Sequence, residues 1–301
     1  MKKALPPQRI AVTGASGLIG TALVGHLRSE GHTVQRFVRR PATAADEISW
    51  DPKSGTVDLA ALEGIDAVIH LAGAGVGDKR WTKKYRAEIL NSRLLGTTAI
   101  ANAVAQVKPA VFISASAMGF YGETGNRAVT EADRAGDDFL AAVCREWESA
   151  ADLAGDVRTV KLRTGLVLDP TGGALGRMLP LFRFGLGGKL GNGKQWWSWI
   201  TLHDHIRAIC HLLESQLEGP VNLTSPNPVT NLEFTAALAR TLHRPALFPA
   251  PAFALKLALG GFSTEILGSK KVSPEVLLAD GFTFDYPEIS GALAALISEN
   301  E

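Results

Sequence analysis

The run Thr13-Gly14-Ala15-Ser16-Gly17-Leu18-Ile19-Gly20 constrains this chain more than any other, because its three glycines, spaced three apart, separate an apolar run from an amphipathic one. Residues 9–13 read as a short buried strand. Residues 18–30 carry apolar side chains at helical spacing and stop at Gly31. In such a strand-turn-helix unit each glycine has a mechanical task. Gly14 permits the tight turn, Gly17 lets backbone N–H groups approach a pyrophosphate, and Gly20 lets the helix pack against the strand. The helix N-terminus then faces the phosphates. The flanking strand and helix separate a dinucleotide fingerprint from a mere glycine-rich turn. Gly14, Ser16, Gly17, Leu18, Ile19 and Gly20 are therefore the expected phosphate contacts.

The same alternation continues. Residues 33–38, 67–71, 110–114 and 157–162 read as strands, and residues 83–105 and 137–154 as helices. This predicts an α/β fold: a Rossmann-type doubly wound parallel sheet with helices on both faces and a smaller C-terminal substrate lobe. The dinucleotide-binding domain is expected over 1–168, with segments near 200–225 returning to it. The substrate lobe is expected over 169–301, where glycines and tryptophans cluster and residues 232–242 and 253–267 have helical periodicity.

At the end of the second strand an NAD site would carry an acidic residue for the ribose 2′-hydroxyl. This chain has Val38-Arg39-Arg40. A guanidinium grips a 2′-phosphate through charge-assisted hydrogen bonds, so NADP(H) is the expected cofactor, with Arg39 and Arg40 as ligands. The alternative is a solvated basic loop, since Arg36, Arg39 and Arg40 cannot all be ligands. Leu71, Ala72 and Gly73 end the third strand with small residues that let backbone approach the cofactor, whereas Asp66 reads as a turn residue.

The 31 basic and 30 acidic residues give a net charge of +1, so no global field favours nucleic acid or an anionic membrane. Cys144 and Cys210 are the only cysteines, which fits a reducing, cytoplasmic setting. The opening residues lack the apolar stretch of an export signal, and the apolar run near 253–262 is too short to span a bilayer. The seven histidines show no metal-ligand spacing, so no metal is expected.

Together with the glycine run, the segments His70-Leu-Ala-Gly, Arg80-Trp-Thr, Asn91-Ser-Arg, Ser114-Ala-Ser-Ala-Met-Gly-Phe-Tyr-Gly, Trp147-Glu148, Arg163-Thr-Gly-Leu and Gly281-Phe-Thr-Phe resemble one family. It is the extended short-chain dehydrogenase/reductase superfamily, in its sugar-nucleotide-epimerase-like branch of unknown substrate with an added C-terminal domain. The resemblance implies a serine that holds the substrate oxygen, a tyrosine that moves its proton, and a lysine four residues later. Ser116 fits the serine. Leu140 and Cys144 stand at the tyrosine and lysine positions and cannot do that chemistry. Tyr121 is the nearby phenol that could substitute, or else a packed aromatic. Cys144 reads as a buried small hydrophobe.

On the substrate side, Arg80 and Arg93 lie in segments expected at the mouth of the site, where they hold an anionic group or else form surface ion pairs. Residues 185–204 resemble the superfamily's substrate stretch. One of Trp196, Trp197 and Trp199 is expected in the pocket, with Trp196 and Trp199 the candidates, because strand alternation buries Trp197. His203-Asp204 reads as a helix start with Asp204 as N-cap. The implied partner is a small molecule, sugar-like or anionic. A homodimer through helices flanking the fourth strand is also implied. Two functions stay open: an NADP(H)-dependent oxidoreductase or epimerase acting on a carbonyl or secondary alcohol, and a non-catalytic NADP(H)-binding sensor or scaffold.

Overall fold

A computed structural model describes residues 6–298; the first five of the opening residues read above for an export signal lie outside them. The first half of the chain runs β1 (Arg9–Thr13), α1 (Leu18–Ser29), β2 (Thr33–Val38), β3 (Glu47–Asp51), β4 (Thr56–Val57), β5 (Ala67–His70), α2 (Lys83–Val107), β6 (Val111–Ala117), β7 (Ala128–Val129) and α3 (Phe139–Ala151). Then follow β8 (Thr159–Thr164), β9 (Leu166–Asp169), α4 (Gly173–Arg183), β10 (Trp196–Trp197), β11 (Trp199–Thr201), α5 (Leu202–Glu214) and β12 (Gly219–Leu223). The chain closes with β13 (Val229–Thr230), α6 (Asn231–Thr241), α7 (Ala252–Leu259), α8 (Ser263–Leu267), β14 (Lys271–Val272), α9 (Glu275–Ala279) and α10 (Ile289–Ser298).

Eight strands form the main sheet in the order β12-β8-β6-β5-β1-β2-β3-β4. Every neighbouring pair is parallel except the antiparallel edge pair β3–β4. This is the Rossmann-type doubly wound sheet. Its order reverses between β1 and β5, so their carboxyl ends flank the crevice where such sheets bind ligands.

Alternation within the strands sends successive side chains to opposite faces. Ile10, Val12, Ile69 and Ile113 pack with α1 and α5, whereas Ala11, Val68 and Phe112 pack with α2. The smaller C-terminal lobe has its own core of Leu175, Leu179, Trp197, Trp199, Phe234 and Leu293, drawn from α4, β10, β11, α6 and α10. Short strand pairs stitch the two regions together: β11 runs parallel to β9, and β14 parallel to β7.

The sequence reading missed β3, β4 and β12. In β3 the charged ends Glu47 and Asp51 mask the two core residues Ile48 and Trp50, and β12 opens with Gly219-Pro220, which reads as a turn. A second correction concerns α5. Thr201 caps it by accepting from the Asp204 N–H at 3.0 Å, one turn earlier than expected. The Asp204 carboxylate instead accepts the N–H groups of Asp285 (3.0 Å) and Tyr286 (2.9 Å) and so ties down the C-terminal segment.

Candidate functional site

At the carboxyl end of β1 the glycines allow close backbone approach. Gly14 has φ +67°, and a Cβ there would lie 2.9 Å from the Leu71 carbonyl carbon; a Cβ on Gly20 would lie 2.1 Å from the Gly14 oxygen. No larger residue fits either position. The Gly17 N–H donates to Gly14 O at 3.0 Å, and Gly17 caps α1 without any side-chain hydrogen bond. The first-turn N–H groups of α1 are thus left for a ligand, with Ser16 and Gly17 exposed and Leu18 and Ile19 half-buried.

Beneath this loop Thr13 Oγ1 accepts from the Leu71 and Ala72 N–H groups at 3.0 and 3.2 Å and lies 2.8 Å from His70 Nδ1. Both lone pairs of the hydroxyl are taken, so its hydrogen goes to Nδ1. His70 then carries its own hydrogen on Nε2, facing Thr97 Oγ1 at 3.0 Å. Burial holds the His70 pKa down to about 3, so the ring is a neutral strut. It fixes Leu71, Ala72 and the exposed Gly73 against the glycine loop. The sequence showed the four residues but not this task.

The basic end of β2 is divided. Arg36 pairs with Asp46 at 2.9 Å, and Arg40 grips Glu47 through two bonds of 2.6 and 2.8 Å. Arg40, with the Thr43 N–H assisting, holds the Glu47 carboxyl down to about 2. Arg40 is thereby committed within the protein. Arg39 is exposed and forms no ion pair among the described residues.

Ser116 and Tyr121 belong to a buried polar chain. Ser116 Oγ donates to Glu148 Oε1 at 2.7 Å, and Arg163 grips both Glu148 oxygens at 2.9 Å. Arg163 also donates to the Tyr121 hydroxyl at 3.0 Å, while that hydroxyl donates to Asn222 Oδ1 at 2.7 Å. Burial, the largest cause, pushes the phenol up to about 12. This corrects the reading of Tyr121 as a substitute acid: its hydrogen and a lone pair are spent inside the core. Leu140 and Cys144 lie against the turn after β6, where a Cβ on Gly119 would meet Leu140 Cβ at 3.2 Å and Cys144 Sγ at 3.7 Å. Burial likewise pushes the Cys144 thiol up to about 12.

The remaining candidates are dispersed. Arg93 donates to Ala74 O (2.9 Å) and Ile89 O (3.1 Å) and stacks on Trp147, so it braces the loop after β5. Arg80 is exposed and lies against Gly260. Trp199 is fully buried, with its indole N–H on Asn227 O at 3.1 Å, which excludes it from stacking on a ligand. Trp196 is half-buried beneath Lys271, whose Nζ sits 4.0 Å from the ring centre. His203, Asp204 and Asp285 bring three ligand atoms within 4.8 Å. Arg207 already fills that cluster, 2.8 Å from Asp204 and 3.2 Å from Asp285.

A cavity of about 270 Å³ opens beside Leu140, walled by the start of α3 and by residues 264–270. Asp138, Phe139 and Leu140 come from α3 and its N-cap, Trp81 and Arg86 from the start of α2, and Glu265 and Lys270 from the C-terminal segment. Sequence reasoning missed this site because its walls are more than a hundred residues apart. Leu140 and the segment Arg80-Trp-Thr were the parts of it visible in the sequence.

Residues 10–224 match the NAD dependent epimerase/dehydratase family, and residues 250–296 match a domain of unknown function, DUF1731. An epimerase family protein of Mycobacterium leprae is 44% identical over 290 residues, covering 95% of this chain and 94% of its own. The crystal structure of the human epimerase family protein SDR39U1 with NADPH superposes with a TM-score of 0.89 at 34% identity, covering 97% of this chain and 100% of that one. A nucleoside-diphosphate sugar epimerase from Corynebacterium glutamicum superposes with a TM-score of 0.79 at 34% identity, covering 98% of this chain but 59% of that one.

Proposed function

Because the chain belongs to the NAD dependent epimerase/dehydratase family, we propose that it binds NADP(H) and acts as an oxidoreductase or epimerase-like enzyme on a carbonyl or secondary alcohol. The observation that carries the reading is the glycine cradle: Gly14 and Gly20 admit no Cβ, the α1 N-terminus lacks a side-chain cap, and the loop abuts Leu71 and Ala72 at the switch point. These residues fit a pyrophosphate, and Arg39 fits a 2′-phosphate beside it. The human relative crystallised with NADPH supports the same choice.

A bound nicotinamide would supply a hydride donor or acceptor. The α1 N-terminus would hold the pyrophosphate, and Leu71, Ala72 and Gly73 would take the ribose side. Ser116 lends only lone pairs to a ligand, since its hydrogen is held by Glu148. Loss of the tyrosine and lysine to Leu140 and Cys144 favours the second reading, a non-catalytic NADP(H)-binding module.

Calorimetric titration with NADPH and NADH tests the cofactor. NADPH is expected to bind more tightly, and Arg39→Ala to weaken it by about 10- to 100-fold, the worth of a charge-assisted contact of roughly 1.5–3 kcal/mol. Equal affinity for both cofactors in the wild type, or an unchanged variant, sinks the NADP(H) reading.

A further inference from the structure

We propose that one apolar face of the C-terminal lobe docks on a bilayer surface that carries anionic headgroups. Two stretches far apart in sequence build this face, residues 181–191 and 244–257. The Phe248 N–H donates to Gly187 O at 3.1 Å, the Ala250 N–H to Lys189 O at 2.9 Å and the Gly191 N–H to Ala250 O at 2.8 Å, so the two run side by side. Arg244 adds a bond from Nε to Arg183 O at 3.2 Å. The backbone is held tightly: a Cβ on Gly188 would lie 2.1 Å from Phe248 O, and Pro245, Pro249 and Pro251 fix their own φ angles. Side chains that point outward from these stretches are therefore kept outward.

Those side chains are Phe184, Leu186, Leu247, Phe248, Phe253 and Leu257. Phe184 is 80% exposed, and Leu247, Phe253 and Leu257 are each 75% exposed. No residue of α7 is buried. The largest apolar patch of an ordinary monomer covers about 300–600 Å². Three phenylalanines of roughly 150–250 Å² each, exposed by 59–80%, take up most of that range before the leucines are added. An apolar face of this size marks a site of association.

Charge selects the partner. The whole chain is nearly neutral, yet residues 170–200 and 234–264 contain no aspartate or glutamate. They carry Arg183, Lys189, Arg240, Arg244 and Lys256, and among the described residues the only ion pair made by a cation of these stretches is Arg177 with Asp78. A second copy docked face to face would set these cations against their own kind. A bilayer answers both features at once. Acyl chains take the apolar side chains without a complementary shape, and phosphate headgroups meet the cations around them. On α7, Lys256 lies one turn from Phe253 and beside Leu257, where its stem follows the apolar face while its ammonium reaches the headgroups. With eight residues α7 is too short to cross a membrane, so it lies in the surface plane.

The test is sedimentation of the full chain with vesicles of phosphatidylcholine mixed with phosphatidylglycerol, beside vesicles of phosphatidylcholine alone. The mixed vesicles are expected to bind about tenfold or more tightly, since each Lys or Arg at an anionic surface is worth about fivefold, and added salt is expected to weaken that binding. Two double variants divide the face: Phe253→Ser with Leu257→Ser removes apolar contact, and Arg244→Glu with Lys256→Glu reverses charge. Each is expected to lose about tenfold or more on the mixed vesicles. All four positions are exposed, so both proteins are expected to melt with the wild type. Gel filtration without lipid is expected to give one oligomeric state for all three proteins. The proposal is overturned if the wild type stays in the supernatant with mixed vesicles, if it binds both kinds of vesicle equally, or if either folded double variant binds as the wild type does. A changed oligomeric state in the Phe253→Ser, Leu257→Ser protein assigns the face to a second copy and overturns it as well.

Discussion

Burial reassigns residues whose type suggests chemistry, and Tyr121 is the plainest case. Its hydroxyl links Asn222 to Arg163, and Arg163 neutralises the buried Glu148 that holds Ser116. Tyr121→Phe leaves two polar groups short of a partner and is expected to cost about 1–3 kcal/mol of stability. Turnover of the folded variant should stay near wild type. Arg163→Met leaves the Glu148 carboxylate without its cation and is expected to cost more, about 3–5 kcal/mol. Urea unfolding of both variants checks the order; a folded Tyr121→Phe protein that is slowed by orders of magnitude would return the phenol to catalysis. The glycine loop was legible in the sequence because its contacts are local. The chain from Ser116 to Asn222 was not, because it joins residues 106 positions apart.

At the scale of elements, strands with a contiguous apolar core were read with bounds close to those observed, as β1 and β5 show. Strands that owe their state to a neighbour were not. β3 exists through its pairing with β2, and the tryptophan segment is cut into β10 and β11 by its different partners, β13 and β9. Strand alternation puts Trp197 and Trp199, two residues apart, on one side, and both face the lobe core while Trp196 is half-buried. The two outer tryptophans should therefore respond differently to truncation. Trp199→Ala empties a fully buried site and is expected to cost about 3–5 kcal/mol. Trp196→Ala loses one hydrogen bond to Asn126 and one stacked lysine, a cost of about 1–2 kcal/mol. Equal losses in chemical denaturation would show that Trp196 is as deeply packed as Trp199.

For the whole molecule, the order of elements along the chain differs from their order in space. The main sheet is completed by β12, which pairs with β8 across five residues, and its α1 face is covered by α5. Both elements follow residue 168, so a fragment of residues 1–168 keeps the glycine loop but lacks one edge strand and half of a helical layer. Ile206, Ile209, Leu212 and Leu213 of α5 are buried against that face. At roughly 1.5–3 kcal/mol for each such side chain, their removal costs about 6–12 kcal/mol. Native proteins hold only about 5–15 kcal/mol in reserve, so the loss is comparable with the entire margin. Residues 1–168 expressed alone are expected to show no cooperative thermal transition and no NADPH binding, although every expected phosphate contact is present. A fragment with a sharp melt and wild-type NADPH affinity would mean that the returning segments are dispensable, and that the nucleotide-binding half folds as an independent unit.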